Sequence, residues 1–311
     1  MKLLHHPAEE TAIKQGSVAA IGNFDGVHRG HQALLTTMRT LASERNLPMI
    51  VVVFEPQTRE YFLKEKSPPR LTSLRKKLQI FQQFGVDYVY CLRFNQQMAQ
   101  MNAEVFAREV LFTRLQVKQL FVGQDFRFGC DRLGDVALLQ RVCQSYQAEV
   151  ALYPDFLLDQ QRVSSTLVRQ ALQARRLDEA AHLLGRPYTL CGRVMYGDGR
   201  AREWGTPTAN LKLTQRTLPV KGVFSVAITT EDGGAYHGVA NLGYRPTFGG
   251  TKAVLEVHLF EFSGSLYGQR LEVTFLQQLR DEIKFATIEA LIAQIHADIA
   301  AAKDYFKGRI A

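Results

Sequence analysis

Up to about residue 185, short apolar runs alternate with stretches whose apolar residues recur every three or four positions. The runs predict strands at 17–21, 48–54, 86–92, 117–122 and 148–152, and the periodic stretches predict helices near 31–44, 72–84, 102–113 and 134–146. A run such as Ile50-Val51-Val52-Val53-Phe54 suits a strand covered on both faces, so the alternation predicts a parallel sheet with helices on either side. Ligands of such sheets gather at the carboxyl ends of the strands. From about Pro187 the period becomes two. Val223 to Thr229 puts Phe224, Val226 and Ile228 on one face, and Val254 to Phe260 puts Leu255, Val257 and Leu259 on one face with Glu256 and His258 on the other. Glu231-Asp232-Gly233-Gly234 reads as a hairpin turn. Several short strands joined this way predict a small antiparallel barrel. A closing helix over 287–305 has Thr287 as its cap, and its stripe of Ile288, Leu291, Ile292, Ile295 and Ile299 reads as core packing. The fold class is thus α/β plus β, with a junction near Leu184-Gly185-Arg186-Pro187 that divides the chain into 1–184 and 185–311.

Composition narrows the function classes. With 311 residues, 46% of them apolar, the chain is long enough for two cores. Cys91, Cys130, Cys143 and Cys191 form no Cys-x-x-Cys pair, which points to a reducing compartment rather than a metal site or disulfide framework. The segment Met1 to Pro7 turns polar before a signal-peptide core can form, and the longest apolar run, Met49 to Phe54, is a buried strand rather than a membrane span. A cytoplasmic protein with no membrane partner and no evident obligatory protein partner is expected. The net charge of +8 favours anionic partners, either nucleic acid or phosphorylated small molecules. Arg75, Lys76 and Lys77 are adjacent but lie on a predicted helix without interleaved aromatics, so they read as a solvated face and nucleic acid ranks below nucleotide.

The candidate chemistry begins directly after the first predicted strand. Residues 22–31 read Gly-Asn-Phe-Asp-Gly-Val-His-Arg-Gly-His and lead into a helix through Gln32-Ala33-Leu34-Leu35. A helix start carries unpaired N–H groups and partial positive charge, so it takes phosphate readily. Gly22, Gly26 and Gly30 leave room for close approach, and His28 and His31, three apart, face the same side of the turn. Two imidazoles beside such a helix end suit a reaction that develops charge on phosphate oxygens. Zinc ligation lacks a closing Cys, Asp or Glu at suitable spacing, and the turn is neither a P-loop nor a dinucleotide fingerprint. Ordinary surface histidines remain the bland alternative.

Two later segments extend this pattern. Gly123-Gln124-Asp125-Phe126-Arg127-Phe128-Gly129 either presents rings to a flat ligand or is a tight turn whose phenylalanines pack inward, and spacing alone weighs the two equally. Ser164-Ser165-Thr166-Leu167-Val168-Arg169 opens another helix, with Arg169 four beyond Ser165 and Arg162 just upstream. That pattern is a second anion clamp or simple capping. The His-x-Gly-His string resembles the signature of the nucleotidyltransferase superfamily, whose N-terminal sheet is Rossmann-like. The longer strings, with Phe54-Glu55-Pro56, Arg59, Tyr61 and Phe62, are similar to the N-terminal domain of bacterial bifunctional riboflavin kinase/FAD synthetases. The resemblance implies that Gly22, Asn23, Phe24, Asp25, Gly26, His28 and His31 bind ATP, with the histidines stabilising the transition state. It implies that Ser164, Ser165, Thr166 and Arg169 clamp departing pyrophosphate, and that Phe62, Asp125 and Phe128 border the flavin and adenine. Gln57 stands where many relatives carry a histidine.

The second half offers Gly192-Arg193-Val194-Met195-Tyr196-Gly197-Asp198-Gly199-Arg200 and Pro207-Thr208-Ala209-Asn210. It continues with Asn241 to Gly250, Glu256-Val257-His258 and Leu279 to Phe285. Thr208 and Asn210 would present two oxygens on one side of an extended segment, a donor type that Mg²⁺ accepts, and Glu256 on a polar strand face is a candidate general base for phosphoryl transfer. Read without the resemblance, they are a turn and a solvated barrel residue. Together these strings resemble the riboflavin kinase domain of the same family, a small antiparallel barrel with a C-terminal helix. By that resemblance Thr208 and Asn210 bind Mg-ATP, Gly192 and Arg245 line the ATP and flavin site, and Glu256 activates the ribityl hydroxyl. Tyr196, Ala201, Trp204 and Thr206 depart from the usual pattern in the loop expected to fold over the ligands. The implied activity is ATP-dependent phosphorylation of riboflavin to FMN and adenylyl transfer from ATP to FMN, giving FAD. The alternatives are an adenylyltransferase for another phosphorylated metabolite with an inert flavin-binding barrel, and a basic RNA-binding protein.

Overall fold

A computed structural model describes residues 1–5, 13–196, 205–215, 217–247 and 250–310. The chain forms two compact units, Met1–Pro68 with Leu74–Ser164, and Pro69–Ser73 with Ser165–Ala311.

The first unit is built on six strands: β1 (Lys2–Leu4), β2 (Ser17–Ile21), β3 (Met49–Glu55), β4 (Tyr88–Arg93), β5 (Val117–Gly123) and β6 (Glu149–Tyr153). All pair in parallel, in the order β1-β4-β3-β2-β5-β6. A hairpin of β7 (Leu157–Leu158) and β8 (Gln161–Arg162) follows. The helices are α1 (Arg29–Glu44), α2 (Thr58–Leu63), α3 (Leu74–Gln83), α4 (Gln96–Ala99), α5 (Ala103–Val105) and α6 (Val136–Gln144), with α5 continuing as π-helical turns over Phe106–Arg114. The five expected strands and four expected helices are present. β1 is too short to show a period, and α2 is a single capped turn in which the Gln57 N–H donates to Glu60 Oε2 at 3.0 Å.

Alternation within the strands explains their unbroken apolar character. Ala19, Ile21, Ile50 and Val52 pack into one core with Phe106 and Leu111, whereas Val18, Ala20, Val51 and Val53 pack into another with Leu35, Met38 and Phe81. The chain leaves β2 toward β3 on one side and returns to β5 on the other, so the strand order reverses at β2 and β5. The loops at 22–28 and 123–129 both start at the carboxyl ends of these two strands, where such sheets hold ligands.

The second unit starts with α7 (Ser165–Gln173) and α8 (Leu177–Leu184). The expected junction near 184–187 falls after these helices, which pack with the barrel: α8 lies against its last strand, and Arg175 pairs with Asp281 at 2.8 Å. The strands are β9 (Thr189–Met195), β10 (Ala209–Lys212), β11 (Gly222–Thr230), β12 (Ala235–Thr247), β13 (Gly250–Leu259) and β14 (Arg270–Arg280). They close antiparallel in the order β10-β13-β12-β11-β14-β9. Phe224, Val226, Ile228, Leu255 and Val257 are buried inside, as their alternation predicts.

The closing helix is α9 (Ile288–Ile310), where Thr287 Oγ1 accepts the Ala290 N–H at 3.2 Å. Its predicted stripe is corrected by the packing. Ile288 is 58% exposed, and the buried positions are Asp298, Ala302 and Phe306. The apolar repeat predicts one packed seam, but the seam is held by a charge. Arg280 at the end of β14 grips Asp298 through Nε at 2.9 and 3.0 Å and Nη2 at 2.7 Å, and Gln294 Nε2 donates to Asp298 Oδ1 at 2.9 Å. Removing one partner of a buried, bidentate pair leaves the other charge uncompensated, a loss of about 3–5 kcal/mol. Asp298→Ala should lower barrel stability by that amount in chemical denaturation followed by Trp204, the single tryptophan of the chain. A loss below about 1 kcal/mol, the range of a solvated surface pair, would show that the clamp is not buried.

Candidate active sites

In the first unit the chain turns sharply after β2. Phe24, Gly26 and Val27 all have positive φ, at 47°, 84° and 40°. Glycine adopts this region freely, but Phe24 and Val27 hold it at a cost and only because both are buried. His28 is the N-cap of α1, its Nδ1 accepting the His31 N–H at 3.4 Å, so in the neutral ring the proton sits on Nε2 as a donor for phosphate oxygen. The two imidazoles stack with centroids 3.7 Å apart and 19° between planes, and Phe24 lies 4.9 Å from the His31 ring. Gly30 packs closely here: a Cβ would stand 3.2 Å from Phe156 and 3.3 Å from the His28 ring, so one of them would have to shift by a few tenths of an ångström. The spacing of the motif therefore stacks the histidines on the first turn of a 16-residue helix, where backbone N–H groups and dipole already favour anions.

The remaining residues expected around this site are placed as follows. Ser164 ends the first unit; Ser165 and Thr166 form the first turn of α7 in the second unit, where Arg169 Nε donates to the Pro69 carbonyl at 2.6 Å. Asp125 is exposed and paired with Arg162 at 3.3 Å, and Phe62 is exposed next to Tyr61 and Phe94. Phe128 is buried against Phe106 and Phe126, the inward packing that spacing left open. Gln57 is buried at the start of α2.

On the barrel, strand register assembles the second site. Asn210 on β10 lies opposite Glu256 on β13, Glu256 opposite Asn241 on β12, Asn241 opposite Val223 on β11, and Val223 opposite Arg280 on β14. Directly opposed residues share a face, so one row crosses the outside of the barrel with Glu256 between two asparagines. Thr208, Asn241, Glu256, His258 and Glu282 line a cavity of about 260 Å³, with Phe285, Leu291 and Ile295 supplying an apolar wall. Arg245 Nη2 holds Glu256 Oε1 at 2.8 Å, and His258 Nδ1 donates to the Pro207 carbonyl at 2.8 Å, fixing the segment that carries Thr208. Burial pushes the Glu282 carboxyl up, Glu256 adds to the rise, and Lys221 and Arg280 oppose it. Tyr196 is 81% exposed and stacks on Tyr267 with centroids 4.1 Å apart, while Thr206 is buried in the cavity wall. Ala201 and Trp204 lie outside the described residues.

Glycines in this half serve packing. A Cβ on Gly192 would stand 2.9 Å from Leu211, and one on Gly243 would occupy the place of the Glu282 carboxylate.

Residues 10–167 match the FAD synthetase family model and residues 184–306 match the riboflavin kinase model. The chain belongs to the bifunctional riboflavin kinase/FMN adenylyltransferase family. It is 50% identical to the family member of Pseudomonas fluorescens over 93% of both chains. Identity is 43% to that of Haemophilus influenzae, covering 98% of this chain and 99% of that one, and 44% to that of Escherichia coli K12, covering 95% and 94%. A Streptococcus pneumoniae structure described as a macrolide-efflux protein superposes with a TM-score of 0.77 at 28% identity, covering 95% of this chain and 97% of that one. No helix among the described residues is long and apolar enough to cross a membrane. The two family models leave residues 168–183 between them, which is most of α7 and α8.

Proposed function

We propose that the barrel transfers the γ-phosphoryl group of ATP to riboflavin and that the N-terminal unit transfers the adenylyl group of a second ATP to the resulting FMN. In the first reaction Glu256 accepts the proton of the ribityl 5′-hydroxyl as its oxygen bonds to the γ-phosphorus and the bridging oxygen leaves with ADP. Arg245 orients the carboxylate from one side, and Asn210 and Asn241 flank it. Thr208 and Asn210 carry hydroxyl and amide oxygens, the hard donors that Mg²⁺ takes while keeping waters and phosphates. Asn241 Oδ1 is buried with no hydrogen-bond partner among the described residues, so the same row has an acceptor open to a ligand or a metal-bound water. The donor set fits magnesium, which when bound with ATP neutralises phosphate charge. Leu291, Ile295 and Phe285 supply the apolar surface for the ring system.

In the second reaction a phosphate oxygen of FMN attacks the α-phosphorus of ATP and pyrophosphate leaves. His28, His31 and the N–H groups opening α1 meet the charge that develops on those oxygens. Ser164, Ser165, Thr166 and Arg169 hold the departing pyrophosphate, with Asp125 and Phe62 toward the flavin. FMN leaves one site to enter the other, and the setting is cytoplasmic.

The observation that carries this reading is the row that sets Glu256 between Asn210 and Asn241 beside Thr208. A chromatographic time course with riboflavin, ATP and Mg²⁺ tests it, with FMN appearing first and FAD after a lag. A chain that adenylates supplied FMN yet never phosphorylates riboflavin would leave the barrel without its proposed activity.

A further inference from the structure

The nucleotide loop rests on a buried lysine that the mechanism above leaves unused. Lys77 is 1% exposed in the middle of α3, between the apolar positions Leu74 and Phe81. Burying a lysine is costly unless its ammonium is hydrogen-bonded, and such residues are seldom kept for packing alone. Its Nζ donates to the backbone carbonyl of Asn23 at 2.7 Å. One turn further along α3, the Phe81 ring meets the edge of Phe24 at 5.5 Å, and Phe24 in turn lies 4.9 Å from the His31 ring. Two residues one turn apart on α3's buried face therefore hold two consecutive loop residues, the second of which has positive φ without being glycine. Strain of that kind persists only where the surroundings over-determine it. Arg75 is exposed, Lys76 half-buried and Lys77 buried, so the three cations that the sequence sets side by side do not form one solvated face.

We infer that Lys77 is a positioning residue of the adenylyl-transfer site: its ammonium fixes the Asn23 carbonyl and so sets the loop that aims His28 and His31 at the phosphates of ATP. The inference rests on the reading that this loop binds ATP. It touches the nucleotide through the loop and not directly, so its loss should register on ATP and pyrophosphate rather than on FMN.

Lys77→Met keeps the volume and removes the donor. In the full chain it should lower FMN adenylylation about 100-fold, as expected of a misplacement near 1 Å. The KM for ATP and the inhibition constant of pyrophosphate should rise while the KM for FMN stays within twofold. Riboflavin phosphorylation, measured on the same preparation, should stay within twofold of wild type because it belongs to the other unit. Lys77→Gln keeps a polar group in the burial site and should show the same split should Lys77→Met melt the unit. Adenylylation within threefold of wild type in both variants, or equal rises in the ATP and FMN constants, would overturn the inference. A wild-type chain that does not adenylate FMN at all would instead overturn the reading on which it rests.

Discussion

Glu256→Gln should stop riboflavin phosphorylation while sparing adenylyl transfer to supplied FMN. The amide keeps the size of the side chain and can still sit between Asn210 and Asn241, but it takes no proton. A general base contributes about 10²–10⁴-fold to such a step, so kcat should fall by that factor with the KM values little changed. The glutamine also loses the charge that holds Arg245 at 2.8 Å. Arg245→Ala separates the two effects: it removes the orienting partner and leaves the base, so its kcat loss should be the smaller. Stopped-assay kinetics for FMN formation, with FMN adenylylation as the internal control, check both variants. A Glu256→Gln enzyme retaining a tenth or more of wild-type kcat would remove Glu256 from the role of base.

The paired variant His28→Ala/His31→Ala should have the converse effect, with FMN accumulating from riboflavin and no FAD following. Removing one preorganised donor from a developing oxyanion costs about 10²–10³-fold in kcat. Here the two donors are stacked and His28 also caps α1, so the pair should cost at least that much and the single variants should not add. His28→Asn keeps an N-cap acceptor for the His31 N–H without an imidazole. If it falls as far as His28→Ala, the ring acts on the phosphates; full recovery would reduce His28 to a cap.

Much of this was legible in the residues because the signals were local. Unbroken apolar runs and helix-period stretches predicted five strands and four helices of the sheet unit, and period-two stretches predicted the inner faces of β11 and β13, since burial on two faces or one sets the pattern. The loop motif announced its own geometry, because Gly26 takes a positive φ that side chains rarely adopt and Gly30 sits close against the His28 ring. What stayed hidden depended on partners far along the chain. Lys77 read as one of three solvated charges, although its place between Leu74 and Phe81 on the helix period was the clue to its burial. The α9 stripe read as core because periodicity marks an apolar face without saying whether it meets a barrel wall or a cavity. Asp298, the residue that holds the helix, is charged and so was invisible to that test. Phe128 could not be assigned from spacing, since a ring at a strand end packs inward or outward according to helices such as the one carrying Phe106. The placement of α7 and α8 with the barrel likewise rests on contacts such as Arg175 with Asp281 that no local pattern shows.

The central claim is that one chain carries two separate sites, each operated by its own residues, with free FMN passing between them. Mixing the Glu256→Gln chain with the His28→Ala/His31→Ala chain tests it most directly. Neither variant alone should convert riboflavin to FAD, and the mixture supplied with riboflavin, ATP and Mg²⁺ should do so after a lag that shortens as FMN is added. A mixture that makes no FAD, although each chain keeps its remaining activity, would contradict the account.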